Sequence, residues 1–201
     1  MARDFLQAAI PEPVTLLGQR LHPFSLGHYI LLERFKSPFL LGGQADVTDL
    51  FTAVLICCNK YDEFINLIKE DDLRNIVKRW AKRLGNFDVN DISQAFNVYV
   101  NDCFNNFPKY WYEETGGNSK KLGAPFTQSI KVRLMRSFSL SEEETLNRPL
   151  GLCIWDVATL MEQDGVIKIN TKADDETANQ KELFKEWLRD NPNLVQQFGA
   201  N

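Results

Sequence analysis

Apolar residues recur at helical spacing along most of this chain, and the runs are separated by proline, glycine and clustered acids. The first readable unit is residues 14–34. Val14 to Leu17 forms a short β-like run, Gly18 and Gln19 a turn, and Arg20 to Phe24 a second run, so a small hairpin is expected. Ser25 then opens an amphipathic helix to about Phe35. Its hydroxyl is placed to cap exposed N–H groups, and Leu26, Tyr29, Ile30 and Phe35 share a side. Ser37-Pro38 should end that helix, because the residue before proline disfavours helical backbone.

Further along, Val47, Leu50, Phe51, Val54 and Cys58 follow the rhythm of a buried helical face. A third helix begins near Tyr61 and breaks at Glu70-Asp71-Asp72, where acids suit a fresh helix start. Leu73, Ile76, Val77, Trp80 and Leu84 line the next helix, with Gly85 as its stop. Asn90 or Asp91 caps the clearest helix, marked by Ile92, Phe96, Tyr99, Cys103 and Phe107 and halted by Pro108. The polar, glycine-rich stretch 113–125 reads as a loop. Another helix covers about Phe126 to Phe138. Ser141 and Glu144 have capping-box spacing, and Pro149 starts a segment carrying Leu152, Trp155, Val157 and Leu160. Gly165 closes it before a strand-like run, Val166 to Ile169. Residues 171–180 read as a polar linker, and Leu183, Phe184, Trp187 and Leu188 mark a last helix.

The expected fold is all-α: a mostly helical single domain with a small N-terminal β-hairpin and a short strand near 166–169. Residues 1–170 form the domain, and 171–201 a polar linker with a C-terminal helical arm.

Composition narrows the function. The net charge is -4 and the pI near 5.3, against the strongly basic face of a dedicated nucleic-acid binder. The first thirteen residues lack the apolar core of a signal peptide, and no apolar run is long enough to span a bilayer, so a cytoplasmic protein without membrane contact is expected. The four cysteines, Cys57, Cys58, Cys103 and Cys153, sit in apolar helical patterns and read as buried, reduced thiols.

Candidate chemistry is sparse. His22 and His28 are the only histidines, and neither they nor the cysteines have the paired spacing of a zinc site. No GxSxG elbow, GxGxxG turn or phosphate-loop spacing is present; the GGNSKK run at Gly116 has the wrong context. The adjacent acids Asp71-Asp72 and Asp174-Asp175 suit solvated caps. No catalytic residue, metal or cofactor is nominated, and the chain is read as a non-enzyme.

Two surface features stand out. Arg74, Lys78, Arg79, Lys82 and Arg83 lie on one helix, with Arg74, Lys78 and Lys82 four apart along an edge. That edge either contacts phosphates or, with acids preceding it, complements the helix dipole. A second basic group comprises Lys120, Lys121, Lys131, Arg133 and Arg136. The aromatic run Phe104, Phe107, Tyr110, Trp111 and Tyr112 either completes the core or anchors an apolar partner helix. Phe107, Tyr110, Trp111 and Tyr112 are the candidate partner contacts.

Two stretches carry a family resemblance: VTLLGQRLHPFSLGHYILLERFKSP from Val14 and SEEETLNRPLGLCIWDVATLMEQDGVIKI from Ser141. Together they resemble tail assembly chaperones of long-tailed bacteriophages and related tail-like particles. The resemblance implies a helical, non-catalytic helper that binds an aggregation-prone tape measure protein and brings tail tube subunits to it in the host cytoplasm. The alternative from the residues themselves is a regulatory protein that contacts nucleic acid through the Arg74–Arg83 edge.

Overall fold

The computed structural model describes residues 3–84, 88–112 and 123–170, with side chains placed for 5–82, 88–110 and 123–170. The chain opens with a short helix the sequence pattern does not announce, α1 (Arg3–Ala9). The hairpin follows as β1 (Thr15–Leu16) and β2 (Gln19–Arg20), paired antiparallel. Its turn lies one residue earlier than the sequence suggests. Leu17 and Gly18 both have positive φ, 51° and 72°, the type I′ pattern that matches strand twist. Leu17 tolerates this because its side chain is buried in the core.

Helix α2 (Leu26–Arg34) is capped by Ser25, whose Oγ accepts the His28 N–H at 3.2 Å. Its buried face is Leu26, Gly27, His28, Leu31 and Leu32, while Phe35 is 38% exposed. This corrects the expected side, because Gly27 lets the helix approach Tyr61 and Leu146 too closely for any side chain. Nor does Ser37-Pro38 stop it. Lys36, at φ 53°, ends α2 in a Schellman motif: Ser37 N–H reaches the Leu32 carbonyl at 2.8 Å and Lys36 N–H that of Glu33 at 3.0 Å. Pro38 instead begins α3 (Pro38–Leu41), where its missing N–H costs nothing.

Helix α4 (Val47–Cys57) is the centre of the molecule. Seven of its eleven residues are buried, so it is covered on most sides. Around it pack α5 (Tyr61–Glu70), α6 (Leu73–Leu84) and α7 (Val89–Asn105). The break at Glu70-Asp71-Asp72 falls as expected, and Asp72 accepts the Arg74 N–H at 3.0 Å. The cap of α7 is Asp88, not Asn90 or Asp91. Its Oδ1 accepts both their N–H groups, at 2.8 and 3.4 Å, placing them in the first turn.

Strand β3 (Tyr110–Tyr112) precedes α8 (Phe126–Phe138), α9 (Glu142–Asn147), α10 (Leu150–Gln163) and β4 (Ile167–Ile169). The Ser141–Glu144 capping box forms, with reciprocal contacts of 3.2 and 2.8 Å. The strand expected near 166–169 finds its partner in the aromatic run: Tyr110 pairs with Ile169, Trp111 with Lys168 and Tyr112 with Ile167. The described residues form a mostly α domain with two small antiparallel ladders. None of their helices is long and apolar enough to cross a membrane. The expected loop at 113–122, Gly85 and the arm at 171–201 lie outside the described residues.

Candidate partner-binding surface

The two stretches that carry the family resemblance pack on each other. Leu26 N–H donates to the Arg148 carbonyl at 3.1 Å, and Leu150 N–H to that of Phe24 at 2.8 Å, flanking a bridge between Ser25 and Pro149. Arg148 is itself held by Asp156, through Nε at 2.8 Å and Nη2 at 2.7 Å. A groove of about 920 Å³ opens at this joint. Residues Leu21 to Phe24 supply one wall, the last turns of α7 another, and Pro149 with Gly151 the end. The segment Gln7 to Val14 closes the side.

Hydrogen bonds fix the walls. His22 N–H donates to the Cys57 carbonyl at 2.8 Å, and the Tyr99 hydroxyl donates to the His22 carbonyl at 2.7 Å. The exit strand of the hairpin is therefore clamped between α4 and α7. Trp155 Nε1–H donates to the Asn106 carbonyl at 2.8 Å, tying α10 to the end of α7. Leu21 and Phe24 are buried apolar residues of the first wall, and Glu12, Arg20 and Asp102 bring both signs of charge to the lining. A lining that mixes apolar and polar groups suits binding.

The groove lacks an activated nucleophile among its described residues. Burial pushes the Cys103 thiol up to about 12 and raises the Tyr99 hydroxyl well above its usual value. Cys153 is likewise raised to about 12 and Cys58 to about 11, with Cys57 also raised, each chiefly by desolvation. Protonated thiols of this kind are inert. Among the described residues no three His, Cys, Asp or Glu side chains gather as a metal site. His22 lines the groove, whereas His28 is buried in the cap of α2.

The residues singled out from sequence are spread over separate places. Phe107 is half-buried and packs edge-on to Phe104 at 5.3 Å, against the core. Tyr110 is 42% exposed on β3. The backbones of Trp111 and Tyr112 continue that strand, and their side chains lie outside the description. The Asn170 N–H donates to the Lys109 carbonyl at 2.8 Å, which extends the ladder to within a few residues of Asn105 and Asn106 in the groove.

On α6, Arg74, Lys78, Arg79 and Lys82 are exposed, Arg79 pairs with Asp71, and the Arg83 side chain lies outside the description. No described residue of this helix lines the groove. In the second basic group, Lys131 pairs with Glu142 at 2.8 Å and Arg133 with Asp164 at 2.6 Å. Arg136 is exposed, and Lys120 and Lys121 lie outside the described residues.

Sequence reasoning missed the groove and α1. The only local signal was Phe5, Leu6 and Ala8 ahead of Pro11 and Pro13, too short a run to show a period. No family model, no curated protein and no solved structure matches this chain.

Proposed function

We propose that this protein is a non-enzymatic assembly chaperone or adaptor that binds apolar helices of a partner, in the manner of phage tail assembly chaperones acting on a tape measure protein. The observation that carries the reading is the groove. Both stretches that resemble that family converge on it, Leu21 to Phe24 from the first and Pro149 with Gly151 from the second. Its mixed apolar and polar lining would take up a helix that otherwise aggregates, and release restores the open groove. The aromatic run Tyr110, Trp111 and Tyr112, on the strand that follows α7, is the proposed second contact.

Affinity capture of the tagged chain from cells expressing the neighbouring genes tests this, at moderate and high salt. The expected catch is a long helical protein that survives high salt, and replacing both Trp111 and Tyr112 by Ala should abolish capture while the fold is kept. Recovery of salt-sensitive nucleic acid, lost in the Lys78→Glu, Lys82→Glu double variant, would overturn it in favour of the exposed α6 edge.

A further inference from the structure

We propose that α1 is a resident stand-in for the partner helix. The seat it fills on α10 accepts an incoming helix with an aromatic residue three positions before a small one. This deepens the adaptor reading and rests on it.

The seat has a defined shape. A Cβ built on Gly151 would lie 3.1 Å from the Ala8 Cβ and 3.8 Å from the Cys103 carbonyl oxygen. Gly151 and Ala8, both small, let the two helices approach closely there. Near it, Phe5 meets the Trp155 ring edge-on, with centroids 5.7 Å apart and planes at 84°. Phe5 and Ala8 are three apart and so share a helix face. Trp155 is held by its bond to Asn106, a contact made by α7 and α10 without α1.

Helix α1 packs chiefly on α10. Seven residues are too few to sustain a helix alone. Ala8 is buried but stands outside the main core cluster, and Phe5 is only half-buried. Leu6 and Ile10 are left 47% and 77% exposed. The following tether contains Pro11 and Pro13, which have no N–H with which to fasten it. Gln7, Ala8 and Ile10 also form part of the groove wall, so open space runs along the flank of α1. Displacing α1 uncovers Gly151 and Trp155 and widens the groove while the main core stays closed. A resident occupant lowers apparent affinity until a better-matched helix outcompetes it.

The test is titration of a fluorescent peptide with the sequence of residues 1–13 into the 201-residue chain. Wild type should bind it weakly, since its own α1 competes. The Phe5→Ala variant, with its own α1 loosened, should bind it about tenfold tighter. A peptide carrying Ala8→Leu, which needs no change in the protein, should fail to bind that variant because Gly151 leaves no room. Equal binding of the parent and Ala8→Leu peptides, or no gain on Phe5→Ala, would overturn the inference. Affinity capture separates it from the broader reading. An unchanged catch with no peptide binding overturns the stand-in alone, and peptide binding as expected supports the seat even where capture finds no protein partner.

Discussion

The Nε2–H of His28 donates to the carbonyl oxygen of Asn59 at 2.9 Å, while its Nδ1 accepts the Ser25 N–H at 3.1 Å. One neutral ring thus closes the cap of α2 and ties it to the loop between α4 and α5. Burial pushes its pKa down to about 4; the bond to Asn59 opposes this, and the charge of His22 adds to it. The ring titrates near 6.5 when unfolded. Its contribution is whole above that pH and is lost progressively as pH falls through about 4. The loss amounts to roughly 3 kcal/mol. Urea unfolding at pH 7 and pH 4 should show wild type losing more stability than His28→Gln by that order. Equal losses would place the acid sensitivity elsewhere.

Gly27 sits where α2 meets α5 and α9. A Cβ there would lie 2.8 Å from the Leu146 carbonyl oxygen and 2.8 Å from the Tyr61 Cβ and Cδ2. Two of those atoms cannot swing away, so Gly27→Ala should destabilise by about 1–3 kcal/mol despite the better helix propensity of alanine. A urea midpoint at or above wild type would show that these helices can separate freely.

Asn147 caps α5 from a distance. Its Oδ1 accepts the Tyr61 N–H at 2.9 Å, and its Nδ2 donates to Asp62 at 3.1 Å. Asn147→Ala should cost about 1–2 kcal/mol. Asn147→Asp keeps the acceptor but sets a carboxylate against Asp62. Its deficit should therefore be larger at pH 7 than at pH 4, where the introduced carboxylate takes up a proton. A deficit independent of pH would show that the two groups do not meet.

The raised thiols predict slow chemistry. With Cys57 and Cys153 buried and Cys58 and Cys103 half-buried, a disulfide reagent at pH 8 should label the native chain about tenfold or more slowly than the urea-unfolded chain. Fast labelling of even one cysteine in the native state would reveal a thiolate that the packing does not account for.

The helices of this chain were legible because their signals are local. The break at Glu70-Asp71-Asp72, the box at Ser141 and Glu144, and the span from Phe126 to Phe138 each depend on residues within a few positions of one another. Capping and backbone sterics act over that range, so the spacing of serines, acids and prolines carries them. The turn at Leu17 was misread by one position for a non-local reason: the left-handed conformation is sustained by a side chain buried against distant residues.

The surface nominated for binding was only partly legible. The sequence determined which residues are aromatic or basic, but not which of them share a face. Phe107 turned inward against Phe104, and Tyr110 to Tyr112 became a strand because β4 lies beside them. The groove required Pro11, His22, Asp102 and Gly151 to meet. Residues so far apart in the chain are brought together only when the whole core has closed, because their approach is set by the packing of α1, α7 and α10 and by no interaction between neighbours in sequence.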